Sequence, residues 1–261
     1  MIKKIITLLI LCCSISALYY YKKQKLDTTD QSTETSLHHL AIIMDGNRRW
    51  ARERNLKPWL GHKQGIEAVK IAVQFCIKKN IPYLSLYAFS LENFKRSAQE
   101  LEYLFDILAQ ELAGSILDEC LKHNIKMVVV GDRTQFPAQL RETLNKIEKL
   151  TENNTHLYLN ILFCYGGRQE INAAVKKIIS ENIPAETITD ETLTHHMWNS
   201  SIPDPDLIIR TGNTHRLSNF MLYQAAYSEL YFMDCYWPDV TEKHLQQAVD
   251  SFTHSQRRFG A

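Results

Sequence analysis

Residues 39–65, HLAIIMDGNRRWARERNLKPWLGHKQG, pass within a few positions from an unbroken apolar run to a dense cluster of charge. The run Leu40–Met44 carries no polar side chain, and the Asp45-Gly46-Asn47 that follows is a turn signal, so the run reads as a short strand buried on both faces. The same alternation continues along the chain. Short, mostly apolar runs at Tyr83–Ala88, Lys126–Val130, Leu157–Leu162, Leu207–Ile209 and Leu230–Phe232 are interleaved with stretches of helical period at Gln64–Lys79, Ala98–His123, Gln135–Leu150, Gln169–Ile179 and Glu242–Phe252. Apolar strands separated by helices predict a single α/β domain whose central, mostly parallel β-sheet is flanked by helices. Within Ala98–His123, Leu101, Leu104, Phe105, Leu108, Leu112 and Ile116 recur at steps of three and four. They form one apolar face that either packs into the core or lines a pocket for an apolar ligand.

The chain has 261 residues, 45% hydrophobic and 23% charged, which suits one sizeable core and excludes a disordered protein, a coiled coil or a multi-pass membrane protein. Thirty Lys and Arg offset 29 Asp and Glu, so no overall field recruits nucleic acid, no nucleic-acid partner is expected, and anion recognition has to be local. Six cysteines show no CxxC pair and no Cys/His ligand spacing; they read as free thiols in a reducing compartment, not as a disulfide scaffold or zinc ribbon. Residues 1–25 differ in kind: Lys3 and Lys4 precede 17 uncharged residues from Ile5 to Tyr21, which end in three tyrosines before Lys22, Lys23 and Lys25. This is a hydrophobic anchor or a cleaved signal, and the expected arrangement is a membrane anchor with a cytoplasmic body. Residues 26–37 form a polar tether, and residues 38–261 the folded domain.

In open α/β sheets ligands bind beyond the carboxyl ends of the strands. Three of these exits are polar. The first carries Asp45, Gly46, Asn47, Arg48, Arg49 and His62; the second Ser90, Glu92, Asn93 and Arg96; the fifth Arg210, His215, Arg216 and Ser218. One Asp-Gly-Asn is an ordinary turn and one arginine pair an ordinary solvated face, but their convergence suits two polyanions bound side by side. A carboxylate such as Asp45 repels phosphate unless a divalent cation sits between them, and magnesium is the hard ion held by one or two carboxylates plus phosphate. Neither GxxxxGK[ST] nor GxGxxG occurs, which argues against nucleoside triphosphate chemistry.

Taken in order, HLAIIMDGNRRWA, GHKQG, LYAFSLENFKRS, IRTGNTHRLSNF and AYSELYF resemble the cis-prenyltransferase family, over about His39 to Gly260. The resemblance implies a homodimer of α/β domains that requires magnesium. It also implies sequential condensation of isopentenyl diphosphate onto an allylic diphosphate such as farnesyl diphosphate, giving a long-chain cis-polyprenyl diphosphate lipid-carrier precursor such as undecaprenyl diphosphate. Carried over by position, Asp45 matches the aspartate that guides magnesium and the allylic diphosphate. Gly46, Asn47, Arg48, Arg49 and Trp50 match the loop that cradles that diphosphate, with His62 nearby. Asn93 matches a catalytic residue and Arg96 a diphosphate contact, while Phe89 and Ser90 lie beside them. Arg210, Arg216 and Ser218 match the isopentenyl diphosphate site, and Glu229 a second carboxylate assisting magnesium. Arg48, Ser97, Pro58, Asn213 and Thr214 depart from the bacterial pattern. The family also contains non-catalytic accessory subunits, but these lack much of the phosphate-binding set that is kept here.

Overall fold

The computed structural model describes residues 37–255; the expected anchor, all of the tether but Leu37, and residues 256–261 lie outside the described residues. Six strands form one sheet in the order β3-β4-β2-β1-β5-β6: β1 His39–Ile43, β2 Tyr83–Ser90, β3 Ile125–Val130, β4 Leu157–Tyr165, β5 Leu207–Arg210 and β6 Glu229–Phe232. The expectation of a mostly parallel sheet sharpens to a wholly parallel one, since every strand pair described runs parallel. β1 is central, with Ile43 opposite Tyr87 on one side and Arg210 on the other. The chain builds outward from it first through β2, β3 and β4, then returns to add β5 and β6. The crevice where such a sheet reverses its order lies at the carboxyl ends of β1 and β5.

Alternate side chains of the strands feed two apolar layers. Leu40, Ile42, Leu84, Leu86 and Ile161 join one, and Ala41, Ile43, Tyr87, Leu162 and Tyr165 the other. Both faces are covered, which is why Leu40–Met44 reads as an unbroken apolar run and not as an alternating one. The helices are α1 Asn47–Glu53, α2 Leu60–Lys78, α3 Ala98–Glu111, α4 Leu117–Lys122, α5 Ala138–Thr151, α6 Gly167–Ser180, α7 Asp190–His196 and α8 Glu242–His254. The seven-residue helices α1 and α7 escaped the periodicity reading because each is too short to show an apolar stripe. The continuous helix expected over Ala98–His123 is instead α3 and α4 separated by a π-turn at Leu112–Ile116, where Gly114 has φ −110° and ψ −110°. Ser97, one of the departures from the bacterial pattern, caps α3 by accepting a hydrogen bond from the Glu100 amide at 3.4 Å.

Cys76, Cys120, Cys164 and Cys235 are free thiols, the first three buried. Among the described residues no helix is long and apolar enough to cross a membrane.

Two local arrangements hold β1 and the loop after it. At the amino end, the buried His39 ring faces the Pro203 carbonyl through Nδ1 at 2.7 Å and Ser85 Oγ through Nε2 at 2.7 Å. A carbonyl only accepts, so Nδ1 carries the proton and Nε2 accepts from Ser85. At the other end, α1 packs on α2 through glycine: a Cβ on Gly61 would overlap the Asn47 carbonyl, and one on Gly65 would lie 2.6 Å from Asn47 Oδ1 and 2.8 Å from Trp237 Cδ1.

Burial pushes the His39 pKa down from 6.5 to about 4 against smaller opposing effects of Pro203 and Asp206. The unfolded chain then binds the extra proton below pH 6.5 while the folded chain resists it. Stability from this group is complete above 6.5 and is lost as pH falls toward 4, by about 2 kcal/mol between pH 7 and 5. Urea unfolding at both pH values is expected to show a smaller difference for His39→Gln than for the unsubstituted chain. Gly61→Ala is expected to lower the urea midpoint by the equivalent of about 1–3 kcal/mol through overpacking, with an unchanged denaturant slope.

Candidate active site

The loop after β1 is held by backbone before any side chain acts. The Asp45 carbonyl accepts from Thr211 Oγ1 at 2.6 Å and from the Trp237 amide at 3.0 Å, which ties the β1 exit to the β5 exit and to the turn following β6. Gly46 opens α1 at φ +106°, and a Cβ there would lie 2.6 Å from Tyr236 Cδ1. The position therefore demands glycine on both conformational and steric grounds.

On this support the carboxylate of Asp45 faces two guanidiniums. Arg210, buried at the end of β5, donates from Nη2 to Asp45 Oδ2 at 2.8 Å, and Arg49 stands 3.4 Å from Oδ1. The Gly46 amide donates to Oδ1 at 2.7 Å. The other arm of Arg210 donates to Ser218 Oγ at 2.7 Å and to the Arg216 carbonyl, while Arg216 Nε reaches Ser218 Oγ at 3.3 Å. Arg210 thus joins the first exit cluster to the fifth.

A second group forms around Glu100, which sequence reading missed. Its side chain is 5% exposed and lies 3.4 Å from both Arg48 Nε and Arg96 Nη1. His62 lies in the same group. Burial, then the positive charges of Arg96 and Arg48, push its pKa down from 6.5 to about 3, so the ring is neutral at physiological pH. Asn47 Oδ1, Arg48 Nε, His62 Nε2 and Arg210 Nε are buried without hydrogen-bond partners. Such a concentration of unsatisfied polar atoms marks a place built for a polar ligand.

These groups border two spaces. A polar cavity of about 300 Å³ is lined by Asp45, Gly46, Asn47, Arg48, Arg49, His62 and Arg96. A larger one of about 790 Å³ shares Asp45, Asn47, His62 and Arg96 with it and adds Phe89, Ser90, Asn93, Arg210, Arg216 and Ser218. The larger cavity runs on past Leu104, Leu108, Leu112 and Ile116 of the α3–α4 segment and past Ile161 and Phe163 of β4. The apolar face read from the sequence therefore divides. Those four aliphatic residues line the cavity, whereas Leu101 and Phe105 only pack against the core.

Three sequence-derived positions fall elsewhere, among them His215, which borders neither cavity and lies edge-on to Phe232. Trp50 borders neither cavity; its indole donates to Asp239 Oδ1 at 2.7 Å beneath the Arg54 guanidinium. Glu229 opens β6 opposite Leu207, whereas Arg210 lies opposite Phe232, so Glu229 stands at the far end of the strand from Asp45. Within one chain the two carboxylates are not brought together. Among the described residues no three His, Cys, Asp or Glu side chains are grouped to hold a metal ion. The donor set fits magnesium as an ion shared between Asp45 and a bound phosphate, not as a resident ion in a protein cage.

Known proteins match this chain in sequence and in fold. Residues 43–260 match the family described as "Putative undecaprenyl diphosphate synthase". The isoprenyl transferase of Bacillus cereus is 43% identical over 226 residues, covering 85% of this chain and 87% of that protein. The ditrans,polycis-undecaprenyl-diphosphate synthase, (2E,6E)-farnesyl-diphosphate specific, of Photorhabdus laumondii is 44% identical over 226 residues, covering 85% and 89%. Among solved structures, lavandulyl diphosphate synthase from Lavandula x intermedia, in complex with dimethylallyl diphosphate, superposes with a TM-score of 0.84 at 29% identity over 87% of this chain and all of that one. A "probable undecaprenyl diphosphate synthase" of Campylobacter jejuni gives 0.74 at 32% identity over 87% and 99%. The matched segment carries both arginine groups and the apolar cavity between α3 and the sheet, and on that ground the chain belongs to the cis-prenyltransferase family.

Proposed function

We propose that this prenyltransferase condenses isopentenyl diphosphate repeatedly onto an allylic diphosphate such as farnesyl diphosphate, releasing a long-chain cis-polyprenyl diphosphate such as undecaprenyl diphosphate. The observation that carries the reading is the position of Asp45 between Arg210 and Arg49, where two arginine groups meet at the mouth of an elongated apolar cavity.

Two diphosphates side by side repel each other strongly in a medium of low dielectric, and this set of arginines offsets that cost. The allylic diphosphate lies on Arg48, Arg49, Arg96 and the amides that open α1; the isopentenyl diphosphate lies on Arg210, Arg216 and Ser218. As the anions take over the guanidiniums, the Asp45 carboxylate becomes available and, with phosphate, would hold magnesium. Magnesium bound there supplies neutralisation of the leaving diphosphate. His62, neutral before substrate binds, offers Nε2 to a diphosphate oxygen or its proton. Asn93, whose Oδ1 is engaged by the Ser90 amide at 3.1 Å, has its NH₂ left to orient a substrate oxygen. Positive charge develops on the allylic carbon as its C–O bond breaks and diphosphate departs, the isopentenyl double bond attacks that carbon to form the new C–C bond, and a proton of the isopentenyl unit passes to a diphosphate oxygen or a nearby carboxylate. The growing hydrocarbon enters the cavity along Leu104, Leu108, Ile161 and Phe163, gaining about 0.8 kcal/mol per buried methylene.

The proposal extends to the assembly and its location. Exposed Leu230 on edge strand β6 supports pairing into a homodimer. The apolar run of residues 5–21 supports a membrane anchor with the catalytic domain, residues 38–261, in the cytoplasm, where a product this apolar is delivered to the bilayer.

Purified protein given magnesium, farnesyl diphosphate and labelled isopentenyl diphosphate is expected to make elongated products, sized by chromatography; no elongation would refute the reading. Asp45→Ala is expected to cut turnover about a thousandfold with the fold intact by circular dichroism, the loss of about 4 kcal/mol at the transition state. In the same assay Arg216→Ala is expected to raise chiefly the KM for isopentenyl diphosphate and Arg49→Ala chiefly that for the allylic substrate. A chain lacking residues 1–36 is expected to leave the membrane fraction and keep its turnover. A full-length body protected from protease on the cytoplasmic side would contradict the anchor's orientation.

A further inference from the structure

The loop that presents Ser218 holds an unfavourable backbone. Ser218, Asn219 and Met221 have φ of +51°, +66° and +39°, a region that L-residues other than asparagine and aspartate seldom occupy. Something must over-determine this conformation, and Asn219 supplies it. Its Nδ2 donates to Glu92 Oε1 at 2.8 Å and to Gln169 Oε1 at 2.9 Å. Its Oδ1 accepts from the Arg168 amide at 2.9 Å, and its carbonyl from the Gly167 amide at 2.7 Å. One side chain therefore links the polar exits of β2, β4 and β5.

Two further features are arranged around that amide. Gly166 leaves room for it: a Cβ there would lie 2.6 Å from Asn219 Nδ2 and would overlap Gln169 Oε1. Gly166 has an extended backbone at φ −162°, so the requirement for glycine is one of space alone. Burial raises the Glu92 pKa, but hydrogen bonds from Ser90, its own amide and Asn219 outweigh this and hold it below the usual carboxylate range, so the bond from Asn219 goes to a charged acceptor.

We propose that Asn219 is a positioning residue for isopentenyl diphosphate, fixing Ser218 and, through it, Arg216 and one arm of Arg210. The inference rests on the assignment of Arg210, Arg216 and Ser218 to that substrate. The allylic group at the β1 exit makes none of these bonds.

The informative variant is Asn219→Gly, which keeps the positive φ without strain and deletes only the amide. Steady-state kinetics with each substrate varied in turn are expected to show the KM for isopentenyl diphosphate raised tenfold or more and the allylic KM changed less than twofold. Asn219→Asp sets two carboxylates against each other and is expected to raise the same KM. Combining it with Glu92→Gln reverses donor and acceptor and is expected to recover most of the loss. If Asn219→Gly does not fold, the surface variant Gln169→Ala, which removes one acceptor, is expected to show the same split at about two- to fivefold. Active wild type with an unchanged isopentenyl KM in the variants, or equal rises for both substrates, would overturn the positioning role and leave the function standing. Wild type that elongates nothing would overturn both.

Discussion

The charge of Asp45 sets the terms for everything around it. A carboxylate at the centre of the proposed anion-binding cleft would be unfavourable for phosphate, and Arg210 and Arg49 offset it by facing it from two strand exits. Arg210 is itself buried and needs that partner, since a guanidinium left unpaired in the interior would cost several kcal/mol. The pair is therefore mutually dependent, and it joins β1 to β5 across the crevice where the sheet changes direction. The Asp45 carbonyl repeats the linkage through Thr211 and Trp237, so the loop that carries the charge is held by its backbone as well as by the ion pairs.

A second balance lies one helix away. Arg48 and Arg96 would repel each other, and Glu100 stands between them as a buried counter-charge. The adjacent His62 is kept neutral by burial and by those arginines. Positive potential is thus concentrated on groups that point into the two cavities, and the donors and acceptors left unsatisfied there are the ones a diphosphate and its cation would complete.

Much of this was legible in the sequence because parallel sheets expose their chemistry at strand exits, and an exit follows its strand within a few residues. Asp45, Asn93, Arg96 and Arg210 could be found by that rule alone. Glu100 and Asn219 could not: the first sits inside a helical pattern and reads as a solvated residue, and the second acts through partners from the exits of β2 and β4. The break at Gly114 was hidden because the apolar periodicity continues across it. Glu229, matched by resemblance to a carboxylate that assists magnesium at the isopentenyl diphosphate site, stands within one chain at the other end of β6 from Asp45, by the register of β6 against β5. Motif resemblance conveys which residues recur together, and strand direction decides where they stand within one chain.

The central position of β1 also governs the order in which the protein can assemble. Its first neighbour, β2, follows after two helices, but its other edge is completed only by β5, and the ion pair that closes the site joins residues 165 apart. Pairing of this sequence separation is slow, because loop closure must be achieved before any contact rewards it. During synthesis the β1 edge stays open until the last third of the chain has emerged, with the Asp45 loop lacking its partners. The cleft proposed as the active site is thus among the last parts of the molecule to form, and a nascent chain stalled before β5 would present an unpaired apolar strand edge to the cell's chaperones.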